Sequence, residues 1–459
     1  MKNLALALPL LSALAVAQGA SPPGTVIRHA TVINVETGAE RRDQTVHIEG
    51  DHIASISPTR DADNSPGAID AHGAFLIPGL WDMHVHVHDK DELPLYIANG
   101  VTGIRIMSGD KDTAAYRAEL ARQGPSPEMY LASAIVDGNP PVWPGSIVVK
   151  KPDDARRAVD AIKAGGADFV KVYSRIPRQA YFAIAEEAKL QRIPFEGHVP
   201  DEVTAEEAST AGQRSIEHLQ GIALGCSKDE KSLMAELNRA QFFRQRLVIE
   251  AEGYRSLDQG KCQSLLAQFR KNETWQVPTL TVLRLWGRLD DSRFLSDSRL
   301  GYIDKQFRDH WQERIGFQMQ HWTSGQFELA RDLFAMDQHI VGAMFRAGVP
   351  LMAGTDAMNP YCFPGFSLHD ELNLMVESGL TPLAALQAAT VNPARFLGRT
   401  DKIGTVDAGK IANLVLLGAD PLTDIRNTTQ IQAVWLEGKY FDKSALGGLL
   451  ESVKNHVKH

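Results

Sequence analysis

Short apolar runs bounded by turn residues alternate along this chain with longer stretches whose apolar residues recur at helical spacing. From Thr25 to Pro58, Val, Ile and Thr alternate with polar residues and the pattern breaks at Gly38 and Gly50, which predicts antiparallel strands. The same texture returns over Ile403–Leu422 and Ile431–Phe441. Pairing of these two β-rich flanks, residues 21–73 and 403–459, is expected to give one small composite sheet domain.

Between these flanks, strand-like runs occur at Ala74–Val85, Val101–Met107, Glu128–Val136, Asp168–Tyr173, Ile193–His198, Arg214–Leu219, Val277–Leu283 and Val349–Asp356. Segments such as 153–167 and 178–191 separate them with a helical period. Eight strands with intervening helices predict an α/β fold of the (β/α)₈ TIM-barrel type over residues 74–402, and such barrels usually need only about 250 residues. The excess falls at about 225–276 and 290–344, which read as helical insertions near the barrel mouth.

Composition narrows the class. With 44% hydrophobic and 23% charged residues, the chain is neither disordered nor collagen-like nor a multispanning membrane protein. Lys plus Arg total 48 against 56 Asp plus Glu, and no basic block occurs, so no nucleic-acid partner is expected. Met1–Ala20 combines Lys2, a Leu/Ala run and the small-x-small triplet Ala15-Val16-Ala17, and is read as a cleaved signal peptide. Its apolar run is shorter than the roughly 20 residues that span a bilayer. No membrane partner is expected after cleavage, and the protein is expected to be periplasmic or secreted. Such compartments permit a disulfide, for which Cys226 and Cys262 are candidates; three buried thiols are the alternative. Three Cys cannot build a cysteine-only metal site, so any metal must rely on the 15 His and on carboxylates.

His84 and His86 form an HxH at the end of the first barrel strand, where alternation turns both imidazoles to one side. Lys171 stands inside the apolar run DFVKVY, where a bare ammonium is costly to bury. His198, His218 and Asp356 end the fifth, sixth and eighth strands. In this fold the C-terminal strand ends form one ring of loops, so five strands deliver six groups to one place and predict a metal site.

HxH followed by Lys, His, His and Asp in this strand order resembles the amidohydrolase superfamily, in its binuclear branch with a carboxylated lysine. PGLWDMHVHV, GADFVKVY, EGHVP, SIEHL, GTDA and the segment from Pro364 to Gly398 resemble its imidazolonepropionase-like and prolidase-like members. IGTVDAGKIANLVLLGADPL resembles the return of their chain into the small β-sandwich, with Asn413 where Asp is usual. The resemblance implies two divalent metal ions, zinc by default. It implies that His84, His86 and Asp356 bind the more buried ion and His198 and His218 the more exposed one. Lys171, as N6-carboxylysine, would bridge them. A hydroxide shared by the ions would attack the substrate, with Asp356 as the catalytic proton carrier.

For substrate binding, Tyr173 shares the face of Lys171, and Arg175, followed by Arg178, lies in the next loop, where a guanidinium can receive a carboxylate. The implied function is hydrolysis of an amide in a small-molecule or dipeptide-like substrate: N-acyl amino acids, Xaa-Pro dipeptides or ochratoxin-like amides. The alternatives are a lactonase or phosphotriesterase on the same ligand set, a cyclic amidohydrolase or deaminase of a heterocycle, and a non-catalytic binding protein. Relatives are often homo-oligomers, and the same is expected here.

Overall fold

The computed structural model describes residues 24–110, 112–121, 124–240, 242–320 and 322–457; the segment read as a signal peptide lies outside them. Among the described residues no helix is long and apolar enough to cross a membrane.

The strands run in chain order from β1 (Thr25–Ile33), β2 (Glu40–Glu49), β3 (His52–Pro58), β4 (Ile69–Asp70) and β5 (Phe75–Pro78) to β6 (Leu80–Val85) and β7 (Val101–Ile106). Next come β8 (Glu128–Leu131), β9 (Val136–Asp137), β10 (Ile147–Val148), β11 (Val170–Val172), β12 (Phe195–Gly197), β13 (Ser215–Glu217) and β14 (Trp275–Val277). The last are β15 (Leu414–Leu417), β16 (Ile431–Leu436) and β17 (Lys439–Asp442). Both ends of the chain meet in one eight-stranded sheet of order β17-β16-β15-β5-β1-β2-β3, with β4 beside β1. Ile27, Val32, Val46, Leu76, Leu414 and Trp435 bury its apolar face. At about 1.5–3 kcal/mol per buried side chain of this size, packing holds these distant segments together. Asn413 accepts the backbone N–H of Glu437 at 2.7 Å, which secures the return into this sheet.

The remaining strands form the expected barrel. Parallel ladders join β6-β7-β8 and β11-β12-β13-β14. Three single parallel bridges complete the ring: Ala132 to Phe169 between β8 and β11, Gln276 to Leu351, and Ala357 to Val85. The eighth stave is thus the segment around 351–357, whose backbone hydrogen-bonds to Gln276 of β14 on one side and to Met83, His84 and His86 on the other.

Three details depart from the sequence pattern. The run Ala74–Val85, read as one strand, is two: β5 belongs to the terminal sheet and β6 to the barrel. The seventh strand ends at Val277 and Leu280–Leu283 is a helical turn, because the buried Glu371 carboxylate accepts the N–H groups of Leu280 (2.9 Å) and Thr281 (2.7 Å). Finally, the segments read wholly as insertions contain true barrel helices. Helix Gln259–Lys271 buries Leu265, Leu266 and Phe269 in the main core, as Ser324–Ala347 does with Ile340, Val341 and Met344. Cys226 and Cys262 are joined in a disulfide, and Cys362 is a buried free thiol.

Candidate metal centre

His84 and Lys171 lie in the last residues of β6 and β11, His86, His198 and His218 directly follow the ends of their strands, Asp356 lies at the end of the eighth stave, and all six line one cavity of about 840 Å³. His84 and His218 ring centroids are 4.6 Å apart, those of His198 and His218 5.0 Å, and those of His84 and His86 5.5 Å. One ligand atom from each of His84, His218 and Asp356 lies within 4.8 Å of the others. Asp356 Oδ1 stands 2.9 Å from His86 Nε2 and 3.3 Å from His84 Nε2.

The outer nitrogens of these imidazoles are occupied. His84 Nδ1 donates to the Glu217 carboxylate at 2.8 Å, His198 Nδ1 lies 3.0 Å from Ser174 Oγ, and His218 Nδ1 lies 2.7 Å from Thr279 Oγ1. Such contacts fix the ring and leave Nε2 with its lone pair towards the cavity, the arrangement that metal-binding histidines adopt. Among the described residues, three buried polar atoms of this cluster make no well-aligned hydrogen bond: Lys171 Nζ, and His84 Nε2 and Asp356 Oδ1, which have only the close imidazole–carboxylate contacts just given. Buried atoms left in this state are expensive in a folded protein, and three facing one cavity form a donor set suited to cations.

Burial sets the charge states. It holds His84 and His198 well below the ordinary imidazole value, with the Lys171 charge adding to the effect. His218 falls to about 4, burial outweighing the attraction of Asp356. Neutral imidazole, the form that ligates, is therefore the resting state of these three rings. Burial brings Lys171 down to about 8, despite the opposing pull of Glu217 and Asp356. For Asp356 burial acts upwards, but the fields of His218, His86 and Lys171 together keep the carboxyl below its usual value.

The local backbone shows why these side chains point inward. His218, Thr279 and Asp356 have φ of +59°, +51° and +61°, left-handed conformations that non-glycine residues adopt where the surroundings impose them. Gly197 is required by the site: its φ is +129°, and a Cβ there would meet Lys171 Cδ at 2.8 Å, so only glycine lets the lysine stem cross β12. Asp82 accepts from Thr355 Oγ1 (2.7 Å), Thr355 N (3.0 Å) and His84 N (3.2 Å), tying the first stave to the loop that carries Asp356.

Beneath the ligands lies a charged layer that the sequence pattern did not single out. The guanidinium of Arg105, fully buried, donates to Glu196 (2.7 Å), Ser215 Oγ (2.8 Å), both oxygens of Glu217 (2.9 Å) and the Met83 carbonyl. It therefore joins β6, β12 and β13 to its own β7 and holds the carboxylate that orients His84. The signal was available, since Arg105 interrupts VTGIRIM as Lys171 interrupts DFVKVY.

Of the proposed substrate contacts, Tyr173 lines the cavity and stacks on His198 at 3.9 Å. Arg175 is exposed, donates to the Pro140 carbonyl and is not among the cavity-lining residues, because the chain turns outward after Ser174. Arg178 is likewise exposed and paired with Glu207. His369, in the helix Phe366–Glu377, bonds Thr428 Oγ1 and the Asn99 carbonyl away from the cavity.

A barrel whose strand ends gather imidazoles, a lysine and a carboxylate presents a donor set suited to divalent cations. Residues 332–440 match the amidohydrolase family model. An imidazolonepropionase from Shouchella clausii is 44% identical over 78 residues, a stretch covering 17% of this chain and 17% of that protein. The ochratoxinase of Aspergillus niger is 23% identical over 414 residues, covering 83% of this chain and 78% of that one. Among solved structures, a bottromycin amidohydrolase superposes with a TM-score of 0.76 at 26% identity, over 95% of this chain and 91% of its own. The chain is thus similar to amidohydrolases: its C-terminal part matches the family model, and its fold over most of its length is that of a bottromycin amidohydrolase.

Proposed function

We propose that this protein is a metal-dependent amidohydrolase that cleaves the amide bond of a peptide-like small molecule, in the periplasm or outside the cell. The observation that carries the reading is the set of three buried atoms without a well-aligned hydrogen bond, His84 Nε2, Lys171 Nζ and Asp356 Oδ1, on the wall of one cavity. Their chemistry fits two divalent cations. His84, His86 and Asp356 would hold one, zinc being the first choice, and His198 and His218 the other. Lys171 would serve both as a carbamate, because a neutral amine that adds to carbon dioxide loses a proton and becomes an anion with two oxygen donors. A lysine brought down to about 8 by burial has that neutral amine accessible near physiological pH. The ions, when bound, supply Lewis acidity and a water ionised near neutral pH. Asp356, held ionised, is the group beside them that can take a proton from the attacking water and deliver it to the leaving amine. The ring of Tyr173 and the inserted helices limit access of bulk water from above.

The deciding experiment is metal analysis of the purified protein together with a panel of N-acyl amino acids, Xaa-Pro dipeptides, lactones and aryl phosphotriesters. About two ions per chain and preference for amides are expected; an active metal-free protein, or preference for phosphotriesters, overturns the reading. The Glu217 contact gives a second test. Glu217→Gln should weaken metal binding by about 10- to 100-fold, the usual effect of losing a carboxylate behind a metal-binding histidine, measured by competition with a chromophoric chelator.

A further inference from the structure

Two guanidinium groups line the cavity, and they differ in one respect. Arg246, on the inserted helix Phe243–Arg255, is saturated by a two-pronged pair with Asp201 at 2.9 and 2.7 Å. Arg314, on the helix Lys305–Gln318, is half-buried and has no carboxylate within 4 Å among the described residues. It rests on the face of Trp143 at 4.6 Å and donates to Asn359 Oδ1 at 3.2 Å. One amide oxygen and one indole face leave most of its five donors unused. Trp143 in turn donates its indole N–H to the Tyr173 hydroxyl at 2.8 Å, so the tyrosine's own O–H is free to donate. Arg314 and Tyr173 thus stand on either side of Trp143, on the wall that also carries the metal-site residues.

An unpaired guanidinium held in a partly desolvated cavity is costly, and an anionic ligand relieves that cost. Bidentate geometry makes a carboxylate the natural match. The neighbouring wall is apolar, formed by Leu285, Trp286, Phe307, Trp311 and Phe334. A cavity of about 840 Å³ accommodates a dipeptide-sized molecule.

We propose that Arg314, with Tyr173 as its hydrogen-bonding companion, receives the free carboxylate of the substrate, so that the enzyme removes a C-terminal residue bearing a large apolar side chain. The proposal rests on the amidohydrolase reading for the bond that is broken, and on the cavity alone for the group that is recognised. It assigns specificity to a helix outside the barrel, whereas the barrel supplies the chemistry.

The test compares N-benzoylglycyl-L-phenylalanine with its C-terminal carboxamide on zinc-loaded wild type, Arg314→Met and Arg314→Lys. Wild type should prefer the free acid. Arg314→Met should lose about 10- to 100-fold in kcat/KM on the acid, mainly through KM, and change little on the carboxamide, as expected for removal of a charge-assisted contact. Arg314→Lys should fall between, keeping the charge without the fork. Calorimetric titration with N-acetyl-L-phenylalanine should show a parallel loss of affinity at unchanged zinc content. Equal losses on acid and carboxamide, or unaltered binding of the acetylated amino acid, overturn the role of Arg314. If none of the amides is cleaved but Arg314→Met still weakens binding of the acetylated amino acid, the carboxylate site stands and the amide reading fails.

Discussion

Lys171→Ala should leave the protein with about one bound metal ion or none and lower its activity by about 10³-fold, the scale on which one preorganised electrostatic group contributes. The alanine removes a fully buried side chain whose stem passes Gly197 and whose amine lies in the field of Glu217 and Asp356. Short carboxylates such as acetate, added at high concentration, should restore part of the metal binding, because they supply the two oxygens of the missing carbamate. The pH dependence follows from the lowered lysine value. Carbamate forms from the neutral amine, and with a value of about 8 the neutral fraction rises from roughly 3% at pH 6.5 to roughly 75% at pH 8.5. Metal-stripped, carbon-dioxide-depleted protein should therefore regain activity roughly 25-fold faster at pH 8.5 than at pH 6.5 when dissolved carbon dioxide is held constant. A variant that keeps both ions and full activity without Lys171, or reactivation indifferent to carbon dioxide, refutes the bridge.

Arg105→Leu should be the most destabilising single change beneath the site. It strips Glu196 and Glu217 of their shared cation while leaving both carboxyl groups fully buried. Removing one partner of a buried pair costs about 3–5 kcal/mol, because an uncompensated charge remains inside. Burial already raises Glu196 above its usual value with the arginine present. Without Arg105 the Glu217 carboxylate loses the contacts that hold it against His84, so metal affinity should fall together with stability. Urea unfolding and chelator competition measure the two effects. Unchanged stability in Arg105→Leu would mean that water, and not the guanidinium, satisfies these carboxylates.

The fate of individual residues shows how much was legible beforehand. Lys171 stood out because an ammonium in an apolar strand conflicts with its surroundings, and His84 and His86 because alternation in a strand puts both on one side. Those arguments need only local sequence. Arg105, Glu196 and Glu217 carry the same local conflict in VTGIRIM, IPFEGH and RSIEHL, but their roles come from mutual contact between strands far apart in the chain. The run VPTLTVL is apolar enough for a strand, yet Glu371, more than eighty residues later, captures its amide groups and turns it into a helix. Arg175 seemed well placed by its closeness to Lys171 in sequence; the turn after Ser174 carries it outside.

What the amino-acid order determined alone is the alternation of strands and helices, the β-rich texture of both ends, and the polar residues that interrupt apolar strands. These follow from periodicity and from the cost of burying charge, which act within a few residues. Only the tertiary structure decided which segments of the long insertions are barrel helices and which side chains hang over the mouth. Arg314 lies on a helix that the sequence reads only as part of an insertion near the barrel mouth. Folding that helix over the barrel makes Arg314 a half-buried cation with no carboxylate within 4 Å among the described residues, because the depth of burial depends on what packs above it and not on its neighbours in the chain.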